Sequence, residues 1–229
     1  MIKYWKKFWT VTKVVAVSKL HQMDTEEEMC GICGFTGYRQ DQKTVIERMM
    51  KAIEHRGPDS EGSFCREKIT LGFRRLSIID LEDGQQPMES ADGNLHIVFN
   101  GEIYDYKELR EELEASGISF RTHSDTEVLV NTIQQYGEKA LDKLRGMFGF
   151  AVWNEKEQTL MLARDFFGIK TVYYAEIDGH FVFASEIKSI LAFPGYERKV
   201  NQKALEQYLS FQYSPLEAVS YTHLRAHET

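Results

Sequence analysis

The feature that most constrains this chain is Met29-Cys30-Gly31-Ile32-Cys33-Gly34-Phe35-Thr36-Gly37, an apolar run interrupted by glycines. If Met29 is the true start and is removed, Cys30 becomes the first residue and carries a thiol and a free α-amine on one Cα. A free thiol titrates near pKa ~8.5 and an α-amine near ~7.7–8.0, so the amine can take the thiol's proton directly or through one water. Cys30 would then be nucleophile and base together. The alternative is that Cys30 and Cys33 are small buried residues at the start of a strand.

Composition is that of an ordinary globular protein. The 229 residues predict one domain, or one domain and a fragment. A net charge of −7 without a dense basic cluster argues against nucleic-acid binding, and no apolar run approaches the ~20 residues that a membrane helix needs. Three cysteines, an odd number, do not suggest a disulfide framework, which favours a cytoplasmic location. Cys65 and the histidines do not lie at ligand spacing from Cys30 and Cys33, so we expect no metal.

The two ends of the chain do not resemble parts of a domain. The first 28 residues mix lysines with short apolar groups, and Lys13 interrupts the apolar core that a signal peptide requires. Glu26-Glu27-Glu28 requires purine-rich codons, as a translated bacterial ribosome-binding site would. We therefore expect residues 1–28 to be a leader from upstream translation, 29–217 to be the domain, and 218–229 to be an artefactual tail.

Hydrophobic periodicity predicts helices and strands along the rest of the chain. Helices are predicted at 44–55, 105–116, 128–136, 186–192 and 202–210, and strands at 69–79, 95–99, 147–153, 159–163, 172–177 and 181–184. Ser124 followed by Glu127 predicts a capping box before the helix 128–136. The succession of helices, strands and helices predicts an α+β domain with largely antiparallel sheets.

Polar clusters at four places can converge with Cys30. Asn100-Gly101 follows a predicted strand, where the side-chain amide and the next N–H can form an oxyanion hole, although the same dipeptide is the commonest hairpin turn. Arg75 can hold a carboxylate with its fork of donors, or it is a solvated strand residue. Asp125 can hold an ammonium group or simply favour a helix start. The loop 55–59, His-Arg-Gly-Pro-Asp, can be a plain loop with an internal ion pair.

Together these clusters form an ordered series that resembles a known family. The series is Cys30-Gly31-Ile32, residues 55–62, residues 75–81, Gly84-Gln85-Gln86-Pro87-Met88, residues 100–104, Ser124-Asp125-Thr126-Glu127 and Ser185-Glu186-Ile187-Lys188. It resembles the glutaminase half of glutamine-hydrolysing asparagine synthetase, a class II glutamine amidotransferase of the N-terminal nucleophile (Ntn) hydrolase superfamily. The resemblance covers residues 29–217. The segments 75–80 and 84–87 favour this branch over glucosamine-6-phosphate synthase and amidophosphoribosyltransferase.

The resemblance implies a fold, a reaction and a set of site residues. The fold is a four-layer αββα sandwich, and the reaction is the hydrolysis of glutamine to glutamate and ammonia. The residues carried over are Cys30 as the nucleophile with its α-amine as the base, Asn100 and Gly101 as the oxyanion hole, Arg75 for the α-carboxylate of glutamine, and Glu102 and Asp125 for its α-amine. Two departures, Asp105 in place of Asn and Thr171-Val172 in place of Pro-Leu, bear on local packing rather than on chemistry.

The resemblance also implies a second half beyond this chain. The synthetase domain, which uses ATP, Mg and aspartate, is expected after residue 217, so this fragment is expected to hold no cofactor and to make no asparagine alone. Its expected partners are glutamine, the missing synthetase domain and a second copy in a homodimer. One alternative is a domain that only binds glutamine or a partner, because a retained leader blocks the amine of Cys30. The other is a different class II amidotransferase of the same branch.

Overall fold

Two stacked β-sheets form the centre of the computed structural model, which describes residues 11–15, 29–76, 84–196, 202–211 and 225–226. One sheet consists of Val11–Val15 (β1), Met88–Glu89 (β5), Leu95–Ile103 (β6), Gly146–Asn154 (β7) and Thr159–Arg164 (β8), in the order β1-β8-β7-β6-β5. The other consists of Gly31–Thr36 (β2), Ser60–Cys65 (β3), Ile69–Arg75 (β4), Tyr173–Ile177 (β9), His180–Ala184 (β10) and Arg225–Ala226 (β11), in the order β11-β9-β10-β2-β4-β3. Described neighbours pair antiparallel, except β1, which runs parallel to β8.

Helices cover the outer face of each sheet. Tyr106–Ala115 (α2) and Asp125–Tyr136 (α3) pack on the first sheet, Gln42–Lys51 (α1) and Ile187–Leu191 (α4) pack on the second, and Gln202–Phe211 (α5) follows. Short 3₁₀ turns lie at Glu54–Arg56 and Gly137–Lys143. The helix–sheet–sheet–helix order confirms the predicted αββα sandwich. Within the described ranges, none of the helices has the length and apolar character needed to cross a membrane.

Successive side chains of each strand point to opposite faces of its sheet, and this alternation builds three apolar layers. The outer layers lie between each sheet and its helices, and the middle layer lies between the sheets. Side chains that fill the middle layer include Ile32 of β2, Leu71 and Phe73 of β4, and Val98 of β6. Even-numbered residues of β2 and β6 and odd-numbered residues of β4 therefore face the space between the sheets.

The start of α3 confirms the predicted cap but not the predicted box. Ser124 Oγ accepts a hydrogen bond from the backbone N–H of Thr126 at 3.1 Å. Glu127 does not reach back to Ser124, because its buried carboxylate accepts from the backbone N–H groups of Arg121 at 2.9 Å and Thr122 at 2.7 Å. Glu127 therefore anchors the loop before the helix, and the expected reciprocal bond to the cap was wrong.

Two short terminal strands were not expected from segments assigned to a leader and a tail. Val11–Val15 pairs with β8, and Arg225–Ala226 pairs with β9. Both join strands at a sheet edge, where unpaired N–H and C=O groups accept an extended segment. The described members of the three apolar layers all come from residues after position 29. The boundaries 29–217 remain a prediction, and the rest of residues 1–28 lies outside the described part of the chain.

Candidate active site

Cys30 lies directly before β2, and strand register determines its neighbours. Gly31 pairs with Arg74 in the antiparallel ladder of β2 and β4, so Cys30 falls opposite Arg75. The half-buried thiol packs against the apolar layer between the sheets. Its Sγ atom lies 3.5 Å from the backbone nitrogen of Leu76 and 3.8 Å from the carbonyl oxygen of Leu76. The thiol therefore lies at the end of the ladder, next to the strand that carries Arg75.

The surroundings of the thiol keep it protonated. Burial raises the pKa of Cys30 above its ordinary value, against opposing contributions from the Leu76 N–H and the charges of Arg75 and Arg56. A thiol with a raised pKa is a poor nucleophile near neutral pH unless a base takes its proton. In the chain as numbered, the nitrogen of Cys30 is an amide, and the sulfur of the preceding Met29 contacts Nζ of Lys170.

Cys33 belongs to a different layer from Cys30. It is fully buried under α1 and α4, and burial raises the pKa of its thiol to about 12. The two thiols lie on opposite sides of β2, so they do not form a pair. The interpretation of both cysteines as buried strand residues therefore holds for Cys33 alone.

β6 continues through Asn100 and Gly101, where we predicted the strand to end. Asn100 pairs with Gly149 and Gly101 with Phe148 on β7, so the hairpin-turn interpretation was wrong. Gly101 has φ +155°, and a Cβ there would lie 2.1 Å from the carbonyl oxygen of Met147. This position requires glycine because it combines a positive φ with a close backbone approach. The strand thus delivers the Asn-Gly pair inside the sheet rather than in a loop.

Asn100 is a buried amide with an unused donor. The residue is 3% exposed, and its Nδ2 has no hydrogen-bond partner among the described residues. A buried donor without a partner costs about 1–3 kcal/mol, and such groups are rare enough to require an explanation. A ligand atom that accepts from Nδ2 would remove that cost.

Two observations place Asn100 on the same side of its sheet as Cys30. Asn100 follows Val98 by two residues on β6, and Val98 lies in the layer against which Cys30 packs. Lys170 also links the two regions. Its ammonium contacts Met29, and its carbonyl oxygen lies 3.5 Å from the position that a Cβ on Gly149 would occupy.

One loop, residues 84–87, ties Arg75 to β6 and α3. Arg75 is buried, and a Cβ on Gly84 would lie 2.7 Å from its Nη2. Gln86 accepts from the backbone N–H of Phe99 at 2.6 Å and donates to the carbonyl of Phe99 at 3.1 Å. Its Nε2 also lies 3.4 Å from Oγ1 of Thr126. The sequence did not predict this bridging position of Gln86.

Asp125 and Glu102 bring two carboxylates close together. Oδ2 of Asp125 accepts from the backbone N–H of Ile103 at 3.1 Å, which fixes the start of α3 beside the end of β6. Burial raises the pKa of the Asp125 carboxyl and the negative charge of Glu102 raises it further, against hydrogen bonds from Ile103 and Thr126. A bound cation would relieve this repulsion. The pair is therefore suited to an ammonium group.

The predicted site residues fall into two groups. Cys30 and Arg75 lie opposite each other across β2 and β4, whereas Glu102 and Asp125 lie together where β6 ends. Asn100 and Gly101 directly precede Glu102 on the same strand.

Asp165 was not predicted to have a role and lies at the base of the loop that carries Lys170. Its buried carboxylate accepts from the backbone N–H groups of Phe148 at 3.2 Å, Ile169 at 2.9 Å and Lys170 at 2.9 Å. It therefore fixes the connection from β8 to β9 against the start of β7. No periodicity marks such a residue, because its partners are backbone groups.

The two departures from the family pattern are accommodated by local contacts. The hydroxyl of Thr171 donates to the carbonyl of Ser185 at 2.9 Å, and Val172 is buried between the sheets. Asp105 accepts from the backbone N–H of Arg145 at 3.1 Å.

Comparisons with known proteins identify the family of this chain. Residues 29–228 match the family model for the glutamine amidotransferase domain. The chain is 50% identical over 192 residues to glutamine-hydrolysing asparagine synthetase 1 of Bacillus subtilis (strain 168), covering 80% of this chain and 30% of the relative. Asparagine synthetase 3 of the same organism is 38% identical over 184 residues, covering 78% of this chain and 30% of the relative. The chain thus spans about a third of the length of these relatives.

A solved structure supports the fold. Glutamine phosphoribosylpyrophosphate amidotransferase from B. subtilis superimposes with a TM-score of 0.62 at 23% identity, covering 75% of this chain and 45% of that one. The likeness at this identity concerns the sandwich architecture alone. The family match and the identity to the synthetases show a likeness in sequence as well. The chain therefore belongs to the glutamine amidotransferase domain family.

Proposed function

We propose that this chain is the glutaminase part of a glutamine-hydrolysing asparagine synthetase and that it releases ammonia from glutamine. The observation that carries the proposal is the buried Nδ2 donor of Asn100, which has no partner in the described part of the chain and lies on the face of β6 toward the layer against which Cys30 packs. An amide donor that is held in a strand and has no partner among the described residues is suited to a charge that appears only during reaction. The 50% identity to an asparagine synthetase supports the choice of branch.

The first step is activation of the nucleophile. Once Met29 is removed, the α-amine of Cys30 is free to take the thiol proton. Without this base the thiol keeps its proton, because its pKa is raised. The sulfur then forms a bond to the carboxamide carbon of glutamine, and the carboxamide oxygen becomes negative. Nδ2 of Asn100 and the N–H of Gly101 stabilise that oxygen.

The second step releases the products. The protonated α-amine returns its proton to the leaving nitrogen as the C–N bond breaks, so ammonia departs and a thioester remains on Cys30. Water then attacks the thioester, which yields glutamate and restores the thiol. During both steps the guanidinium of Arg75 holds the α-carboxylate of glutamine, and Glu102 and Asp125 hold its ammonium group.

The remaining length of the relatives suggests where the ammonia goes. This chain spans 30% of asparagine synthetase 1. We propose that a synthetase domain beyond this segment is its partner, and that this domain uses ATP and Mg to amidate aspartate with the ammonia. The site residues of this chain then serve only the hydrolysis of glutamine.

A retained leader favours a second function. With Met29 in place, the nitrogen of Cys30 is an amide and cannot act as a base, and Met29 occupies space beside Lys170. In that form the chain would bind glutamine or a partner without turnover.

The deciding experiment compares the 229-residue chain with the chain that starts at Met29. We expect the shorter protein, trimmed to Cys30, to release glutamate from glutamine, and the longer one to do so only if it is cut after Met29. Glutamate release and intact mass are measured on the same sample. Full activity in protein whose mass still includes residues 1–28 would contradict the assignment of Cys30 as an N-terminal nucleophile.

Two cysteine variants control this comparison. Cys30→Ala should abolish glutamate release in either protein, because the nucleophile is lost. Cys33→Ala should retain most of the activity, since Cys33 lies in a different layer from the site. Loss of activity in both variants would point to a requirement for an intact β2 rather than for one thiol.

A further inference from the structure

After removal of Met29, Cys30 is the first residue of the chain and needs contacts that hold it in place. Terminal residues are poorly ordered unless something ties them down, and Cys30 precedes the first paired residue of β2, Gly31. Within the described residues, Nε of Arg56 donates a hydrogen bond to the carbonyl oxygen of Cys30 at 3.0 Å. The orientation of the nucleophile therefore depends on where Arg56 is held.

Arg56 reaches Cys30 from the 3₁₀ turn Glu54–Arg56. Its side chain is 11% exposed and lies across Gly31, where a Cβ would be 3.4 Å from Cδ of Arg56. The other side of its guanidinium donates from Nη1 to Oε1 of Glu186 at 3.0 Å. Glu186 thus holds the far side of the group that holds Cys30.

The position of Glu186 is itself fixed on β2. Ser185 donates its backbone N–H to the carbonyl of Ile32 at 2.8 Å, and the N–H of Ile32 donates to Oγ of Ser185 at 3.0 Å. Continuation of this register places Glu186 opposite Gly31, one residue from Cys30. Burial by itself would raise the pKa of Glu186, but hydrogen bonds from Arg56, Lys188 and His55 outweigh it. The pKa of Glu186 is therefore lowered, and the carboxylate stays ionised.

We propose that Glu186 is a positioning residue for Cys30, acting through Arg56. This inference rests on the proposed function, and it adds a role for two motifs that the hydrolysis steps leave unused, residues 55–59 and 185–188. The carboxylate fixes the guanidinium, the guanidinium fixes the carbonyl of Cys30, and the thiol and α-amine are thereby held toward the substrate. Misplacement of a reacting group by about 1 Å can cost 10²-fold in rate.

Lys188 provides a matched control. Its ammonium lies 3.0 Å from Oε2 of Glu186, whereas Arg56 binds Oε1 of the same carboxylate. Lys188→Ala therefore removes a partner of Glu186 without touching the connection to Cys30. Glu186→Gln keeps an oxygen that can accept from Arg56 but removes the charge, and Glu186→Ala removes both.

The test uses the chain that starts at Met29, which retains all the described residues of the three apolar layers. We expect Glu186→Ala to lower kcat by about 10–100-fold, with KM changed by less than about 3-fold. The kcat of Glu186→Gln should lie between those of Glu186→Ala and wild type. The kcat of Lys188→Ala should stay within 2-fold of wild type. Alkylation of Cys30 by iodoacetamide should stay within 2-fold or rise in Glu186→Ala, since Arg56 loses its counter-charge while the thiol remains accessible.

The outcomes separate the inference from the function it rests on. A kcat within 2-fold of wild type in both Glu186 variants overturns the inference and leaves the glutaminase assignment intact. An equal loss in Lys188→Ala, or a parallel loss of alkylation, also overturns it, because the ion-pair cluster would then support the fold rather than the nucleophile. Wild-type protein that has Cys30 at its N-terminus and releases no glutamate overturns both.

Discussion

The two ends of β6 contain similar residues with opposite hydrogen-bonding states. The turn before the strand contains Asp92-Gly93-Asn94, and Asn100-Gly101-Glu102 directly precedes the last residue of the strand, Ile103. Each end combines an asparagine, a glycine at positive φ and a carboxylate. Their sequences alone allow a structural turn at either end.

At the first end the polar groups satisfy one another. Oδ1 of Asp92 accepts from the hydroxyl of Ser90 at 2.8 Å and from the backbone N–H of Asn94 at 3.0 Å. Asn94 in turn accepts from the N–H of Lys156 at 2.9 Å and donates to Oδ1 of Asn154 at 3.2 Å. The side chain of Asn94 therefore uses its donor and its acceptor to close the turn.

At the other end Asn100 is more deeply buried and its donor is unused. Nδ2 has no partner among the described residues, although the residue is only 3% exposed. Nearby, Asp125 and Glu102 repel each other. A candidate site is therefore distinguished from a turn by a buried donor without a described partner and by carboxylates that repel each other, rather than by the dipeptide itself.

The largest expected difference between the ends concerns their glycines. A Cβ on Gly101 would meet the carbonyl oxygen of Met147 at 2.1 Å, whereas a Cβ on Gly93, at φ +71°, would meet nothing within 4 Å. Gly101→Ala should lower the free energy of unfolding by roughly 2–6 kcal/mol, from strain and overpacking together. Gly93→Ala should cost about 1–2 kcal/mol from strain alone. Urea unfolding of both variants measures the difference, and equal losses would contradict the close approach at Gly101.

Substitution of Asn100 should affect activity, whereas substitution of Asn94 should affect stability. Asn100→Ala should lower kcat by about 10²–10³-fold, or roughly 3–4 kcal/mol of transition-state stabilisation, because one oxyanion donor is lost. Its free energy of unfolding should not fall, since the substitution also removes the cost of about 1–3 kcal/mol for a buried donor without a described partner. Asn94→Ala should leave kcat unchanged and cost about 1–3 kcal/mol of stability through two lost hydrogen bonds.

Kinetics and unfolding on the same two preparations check this prediction. The comparison fails if Asn94→Ala slows turnover as much as Asn100→Ala, or if Asn100→Ala unfolds the protein.

Local patterns predicted most of the elements of this fold. The apolar residues of 44–55 predicted α1, whose buried face is Val45, Ile46, Met49 and Met50. Ser124 predicted the cap of α3. Such features depend on neighbours within one helical turn, so a single sequence carries them.

Contacts between distant segments were not predictable in the same way. The strand through Asn100-Gly101 depends on pairing with β7, about fifty residues later. Gln86 bridges β6 and α3, and Arg56 meets Glu186 across 130 residues. The resemblance supplied the names of candidate site residues, but periodicity could not show which donors are satisfied, because satisfaction depends on tertiary partners.

The carboxyl groups at the two ends also have opposite pKa shifts. At the turn, burial alone would raise the pKa of Asp92, but hydrogen bonds from Asn94, Ser90 and Lys156 outweigh it and the pKa is lowered. At the site, burial and Glu102 raise the pKa of Asp125. A lowered carboxyl pKa means that ionisation stabilises the fold, and a raised one means that ionisation opposes it.

The smallest expected effect is therefore a pH dependence of opposite sign in Asp92→Asn and Asp125→Asn. The contribution of Asp125 is present below its unfolded pKa of about 3.9 and is lost as pH rises through the higher folded value, so wild type should lose stability relative to Asp125→Asn as pH increases. Asn at this position keeps an acceptor for the N–H of Ile103. The contribution of Asp92 is present above about 3.9 and is lost as pH falls through the lower folded value, so wild type should gain on Asp92→Asn as pH increases. Because the side chain of Asp92 is 37% exposed, its effect should stay below about 1 kcal/mol. Urea unfolding of the three proteins between roughly pH 3 and 7 gives both slopes, and slopes of the same sign would mean that the two ends of β6 do not differ electrostatically as the contacts indicate.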